Sequence, residues 1–369
     1  MENKLPVRHR ESHYHGLLIV DKPGLQPSYV NPITNGIADA EPANEAVASA
    51  PPQRLYTSHD IVQLVRRWSG QRRIGHTGTL DPMASGLLVL CLGQATRLVE
   101  YYQGHDKQYY AEVTLGSATD TYDQMGVVSA ERAVPALTVA DIEQALAAFR
   151  GEILQRPPAY SALKQGGESV HRKARRGEEV ILEPRPITIH QLDLVAFTPP
   201  NHIALRVRSS AGTYIRSLAH DLGQALHTYG HLSHLRREAV GSFTLNDAHT
   251  LAAIEGSAQA ETLHKFLQPL GYGLPMAEME LNTEMLTRLG HGQTIIAPSP
   301  LTHAPPVLVK GMLVKGMTED GALAGLLYCL GHANARDHEY LWKAEKMVCQ
   351  PIDNDITQTD TGKLICRSL

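Results

Sequence analysis

One carboxylate inside a glycine-bordered loop is the clearest chemical feature of this chain: Gly75-His76-Thr77-Gly78-Thr79-Leu80-Asp81-Pro82-Met83-Ala84-Ser85-Gly86. Glycines at 75, 78 and 86 relieve Cβ sterics, so the backbone can turn tightly and let a ligand or another backbone come close. Pro82 biases Asp81 toward extended or turn geometry and withholds an amide from any ladder. Asp-Pro also opens ordinary turns, and a turn or a helix cap is the plain alternative reading of the dipeptide. An ionised carboxylate held on such a loop could act as a nucleophile or stabilise developing positive charge. The chain carries no P-loop, no dinucleotide fingerprint and no C-x-x-C pair beside it, so the pattern points to chemistry without a cofactor.

Several elements must hold that loop. Gly16 to Val20 is an apolar run ending in Asp21-Lys22-Pro23-Gly24, the pattern of a strand entering a turn. Ser58 has the character of an N-cap before Ile61, Val62, Leu64, Val65 and Trp68, whose spacing predicts a helix to Gly70. Leu87 to Leu92 and Tyr109 to Leu115 are expected as buried strands, and Val139 to Phe149 as an amphipathic helix. Ile187 to Phe197 and His202 to Ser209 alternate like paired antiparallel strands, and Gly212-Thr213-Tyr214-Ile215-Arg216 opens a helix running through Gly223. Residues 26–56 shift to Pro, Asn, Ala and Glu without periodicity, which suggests a flexible insertion.

At 369 residues the chain exceeds what one core usually holds, so two domains are expected. A Gly/Pro-rich patch from Pro269 to Pro275 suggests the boundary. Beyond it, Pro306 to Val314, Ala322 to Cys329 and Tyr340 to Val348 suggest a small β-domain. With 43% hydrophobic and 20% charged residues and no long apolar run, the composition is that of a soluble protein without a membrane span. The start of the chain has no apolar signal segment, so a cytoplasmic protein is expected. Net charge is −4, which by itself argues against a polyanionic partner. Residues 251–369 hold nine Lys/Arg against thirteen Asp/Glu, however, which leaves residues 1–250 neutral. There the cations cluster: Arg66-Arg67 with Arg72-Arg73, Arg172-Lys173 with Arg175-Arg176, and Arg236-Arg237. Such local clusters matter more for phosphate binding than total charge. Four scattered cysteines argue against structural zinc or a disulfide framework, and His227, His231 and His234 lack a partner ligand, so no metal is expected.

The string GHTGTLDPMASGLL resembles the active-site motif of the TruB family of pseudouridine synthases. Further segments agree in order: GLLIVDKP from Gly16, TSHD from Thr57, DKQY from Asp106, YSALK from Tyr160, GTYIR from Gly212 and LRR from Leu235. The resemblance spans Tyr14 to Leu251. It implies an α+β catalytic domain over residues 1–265 on a mixed, mainly antiparallel sheet with flanking helices. It also implies an RNA-clamping insertion over 156–186, a small PUA-like β-domain over 275–350 and a tail over 351–369. By the same resemblance Asp81 is the catalytic residue that isomerises the T-loop uridine of tRNA, position 55, to pseudouridine. Arg216 pairs with it and keeps it charged, Tyr109 stacks on the flipped base and His76 fills the gap that base leaves. Tyr214 and Leu235 line the pocket, while Lys22 and Lys164 contact phosphate or support the loop. A monomer acting on the tRNA T-stem-loop, with no cofactor and no metal, is expected. The chain departs from the family by about thirty extra residues between DKPGL and TSHD. An RNA-binding or tRNA-folding protein without catalysis, and a synthase working inside a guide-RNA particle, remain the alternatives.

Overall fold

The computed structural model describes residues 14–26, 54–161, 163–165, 168–170, 176, 182–300, 310–333 and 339–348. Most of the 26–56 insertion, the cations Arg172, Lys173 and Arg175, the Gly166-Gly167 pair and the 351–369 tail lie outside them.

Strands β1 (Gly16–Lys22) and β3 (Ser85–Leu92) pair antiparallel at the heart of a large sheet, with β2 (Ile74–His76) against β3. Then come β4 (Lys107–Leu115), β5 (Gly151–Gln155), β6 (Arg185–Thr198), β7 (His202–Ser209) and β8 (Gly230–Val240). From β1 the order across the sheet is β1-β3-β8-β4-β7-β6-β5, and these pairs are antiparallel except the short parallel contact of β8 with β3; the two residues His249–Thr250 pair parallel on the other side of β1. Helices α1 (Ser58–Ser69), α2 (Val139–Ala147) and α3 (Ile215–Ala225) flank it. Thr57 rather than Ser58 caps α1, through a capping box with Asp60. The hydroxyl of Ser58 instead bonds the backbone of Leu80.

The reason β1 and β3 read as unbroken apolar runs is that both of their faces are covered. Alternate residues point to opposite sides. Leu18, Val20, Leu88 and Leu90 join the core under the helices. Leu17, Ile19, Leu87, Val89 and Cys91 face a second cluster that includes Leu323, Leu326 and Val348. Those last three belong to the region of a five-stranded sheet ordered β9 (Glu278–Leu281), β11 (Leu313–Thr318), β12 (Leu323–His332), β13 (Glu339–Met347) and β10 (Ile295–Pro298). Trp342 is wholly buried at its centre and donates its indole N–H to the Ala297 carbonyl at 3.2 Å. The small β-module therefore seats its own apolar side chains on the back of the large sheet. The Lys346 to Glu100 ion pair, 2.8 Å, is at its edge.

Gly86 makes the junction of β3 with β8 possible. Its φ is +98°, and a Cβ there would stand 2.3 Å from the Arg237 carbonyl oxygen. Gly75 and Gly78, by contrast, have room: a Cβ at either would meet nothing nearer than 3.6 Å. Gly86→Ala should therefore destabilise the fold by about 3 kcal/mol through strain and forced strand separation, read as a lower denaturant midpoint, whereas Gly78→Ala should cost under about 1 kcal/mol.

Candidate active site

Asp81 sits at the floor of a cleft of about 320 Å³. The loop holding it is pinned from three directions. Ser58 on α1 exchanges bonds with the Leu80 N–H (2.8 Å) and carbonyl (3.3 Å). Lys22 at the end of β1 donates to the carbonyls of Pro23, Pro82 and Ala84 at 3.1, 3.0 and 2.5 Å. Arg237 on β8 donates to Leu87 and Gly78 carbonyls at 2.7 and 3.1 Å. These are the bonds that an irregular, glycine-containing loop cannot make to itself.

The Arg216 guanidinium, on the first turn of α3, lies 3.0 Å from Asp81 Oδ2 through Nε and 3.6 Å from Asp123 Oδ2 through Nη1. Its remaining donors go to the carbonyls of Thr121 (3.0 Å) and Tyr160 (2.9 Å). Arg216 is 7% exposed and Asp81 28%, so the arginine is interior and the carboxylate meets the cleft. Burial nonetheless pushes the Asp81 carboxyl above the ordinary aspartate value; Arg216 and Lys22 pull it down and Asp123 adds to the rise. Arg216 thus offsets the burial of Asp81 only in part.

Tyr109 and Leu235, both buried, line the cleft with Tyr214 and Ile215. Tyr214 is fixed at the helix start by a reciprocal pair with Gln155: its N–H donates to Oε1 at 2.8 Å and its carbonyl accepts from Nε2 at 3.0 Å. His76 is half-buried at the end of β2, next to Thr77 in the chain, and is not among the residues lining the cleft. Burial lowers its pKa, with Arg237 second, and keeps the ring neutral. Lys164 falls in a two-residue strand, Lys164–Gln165, and its side chain lies outside the described portion.

Lys22 takes the second of the two roles expected for it, support of the loop. It is 0% exposed with its ammonium held by three carbonyls, and burial brings its pKa down to about 8, so it supports the loop and does not reach phosphate. Lys22→Met should leave RNA affinity unchanged and lower stability by about 2 kcal/mol through the orphaned carbonyls, checked by denaturant unfolding beside an RNA titration. Arg237, 2% exposed, is likewise a structural cation, and Arg236 pairs with Asp21 at 2.9 Å. Arg66 donates to the Ile74 carbonyl and Arg73 to Thr96, which leaves Arg67 and Arg72 as the exposed members of that cluster with no side-chain bond among the described residues. Asp123 was not legible as a site residue. Its only sequence signal is an acidic residue in a Thr/Asp turn, and the turn's packing against Arg216 is what brings it in.

The family model described as TruB family pseudouridylate synthase (N terminal domain) matches residues 66–215, and the tRNA pseudouridylate synthase B C-terminal domain matches residues 216–274. The chain belongs to the TruB family. Named curated relatives agree. A tRNA pseudouridine synthase B of Caldanaerobacter subterraneus is 42% identical over 213 residues, 58% of this chain and 75% of that protein. The synthase B of Arthrobacter sp. is 39% identical over 277 residues, 74% and 89% of the two chains. Among solved structures, a Cbf5-Nop10-Gar1 complex superposes with a TM-score of 0.65 at 23% identity, covering 91% of this chain and 86% of the other. At that identity the match speaks to fold: a mixed sheet with flanking helices and a separate C-terminal β-rich region, the architecture described above. The two family-model matches end at residue 274, just before β9.

Proposed function

We propose that this TruB-family chain isomerises uridine to pseudouridine in tRNA, at the T-loop uridine, position 55, with Asp81 as the catalytic residue. The observation that carries this reading is a buried arginine holding a cleft-facing carboxylate at 3.0 Å between aromatic and apolar walls. The reaction breaks the C1′–N1 bond of a flipped nucleotide, forms C1′–C5, releases the C5 hydrogen as a proton and returns a proton to N1. It exchanges no electrons with a cofactor. An anion aimed at the sugar assists that bond cleavage, and Asp81 supplies it. Tyr109 and Leu235 give the detached base an apolar wall, and Tyr214 limits where it can turn. His76, kept neutral beside the loop, is suited to fill the stack from which the base left.

The working form is a soluble cytoplasmic monomer with residues 1–265 as catalytic domain, 156–186 as RNA clamp and 275–350 as a PUA-like module. No helix among the described residues is long and apolar enough to cross a membrane. The test is single-turnover conversion of a tRNA transcript by the purified chain, followed against pH. Because burial raises the Asp81 pKa, activity should fall on the acid side with a midpoint above that of an ordinary aspartate. A midpoint at or below the ordinary value would place the required ionisation elsewhere.

A further inference from the structure

The hairpin between β4 and α2 carries an unusual residue. Tyr122 has φ +62°, a left-handed conformation that a bulky side chain adopts only when its surroundings hold it there. Two sets of contacts surround it. Its carbonyl accepts from Leu232 N–H at 3.0 Å, and the Gln124 N–H donates to the Leu232 carbonyl at 2.9 Å, which fixes the turn to β8. Its ring lies flat on His220, centroids 3.9 Å apart and planes 11° apart. His220 is one helical turn beyond Arg216 on α3, so the two share a face.

The neighbours of Tyr122 make the connection to the site. The Thr121 carbonyl takes a bond from Arg216 Nη1, and Asp123 Oδ2 stands 3.6 Å from the same nitrogen. Asp123 Oδ1 is already occupied by Thr121 Oγ1 (2.7 Å) and the Met125 N–H (3.0 Å), so only Oδ2 turns to the arginine. Three consecutive residues thus grip α3: one by its carbonyl, one by its ring and one by its carboxylate. The left-handed kink at the middle residue is what lets the outer two face Arg216 together.

We infer that the Tyr122–His220 stack is a positioning device that holds Thr121 and Asp123 on Arg216, and through Arg216 sets the direction of the Asp81 carboxylate. This rests on the proposed role of Arg216 and Asp81. Neither ring touches the reacting atoms; both act through the arginine. The phenolic hydroxyl is not required, so the ring alone should suffice.

Tyr122→Gly accepts φ +62° without strain and removes the ring with the rest of the side chain. It should lower the single-turnover rate on tRNA about tenfold while tRNA affinity stays within about twofold. Tyr122→Phe should restore the rate. His220→Ala should show the same loss, and the double variant Tyr122→Gly/His220→Ala should be no slower than either single one, because the pair acts as a unit. A wild-type rate in Tyr122→Gly, a failure of Phe to rescue, or independent multiplication of the two losses would each overturn the inference. Asp81→Asn in the same assay separates the failures. Full turnover there would overturn both the reading of the site and the positioning role. A dead Asp81→Asn beside a fully active Tyr122→Gly would overturn the positioning role alone.

Discussion

Asp81→Asn is expected to bind tRNA within about twofold of the wild-type chain and to form pseudouridine at least about 10⁴-fold more slowly, the scale on which removal of an essential reacting group is felt. Asparagine has the shape of the aspartate and lacks its charge. Because burial already disfavours the charged form of Asp81, neutralising it should not weaken the fold. Arg216 keeps Asp123 as a partner and its two carbonyl acceptors, so the loop stays where it is. Quench-flow with radiolabelled tRNA and a parallel filter-binding titration separate the two numbers. Turnover within about tenfold of wild type would remove Asp81 from the mechanism.

Arg216→Met acts on stability and rate together. It removes a buried cation that stands between Asp81 and Asp123 and satisfies the carbonyls of Thr121 and Tyr160. Breaking such a pair from one side costs about 3 kcal/mol, and loss of preorganised charge at the site should lower the rate by about 10²- to 10³-fold. The stability loss should depend on pH with a definite sign. Without Arg216 the folded-state pKa of Asp81 rises further. A carboxyl whose folded value lies above its unfolded one contributes stability that is present at low pH and is lost as pH rises through the folded value. The variant should therefore regain stability, relative to wild type, as pH falls from neutral toward the ordinary carboxylate range. Denaturant midpoints at both ends of that window check it, and a pH-independent deficit would mean that Asp81 is not the group left exposed to burial.

The frame was legible because its signals are local. The β1 and β3 runs, the alternation in β6 and β7 and the apolar stripe of α1 each follow from periodicity, and the glycine loop followed by Leu87-Leu88-Val89-Leu90 marked where a carboxylate would sit. Less legible was everything that depends on which chain segments meet. Lys22 and Arg237 look like surface cations in sequence, yet carbonyl partners distant in the chain, Pro82 for the lysine and Gly78 for the arginine, draw both inside. Asp123 and the Tyr122–His220 stack arise where a hairpin crosses a helix from much later in the chain, a contact with no periodic signature. The seat of the β-module on the back of the sheet was hidden for a related reason. Leu17, Ile19 and Val89 read as core whichever partner covers them.

The most direct test of Asp81-dependent isomerisation is nucleotide-resolved mapping of pseudouridine, by carbodiimide labelling and primer extension, in unmodified tRNA incubated with the purified chain and no added cofactor. The result expected is one new pseudouridine at the T-loop uridine, absent when Asp81→Asn replaces the wild-type protein. Conversion at other uridines with the T-loop untouched, or an unmodified tRNA that the chain nonetheless binds tightly, would contradict it.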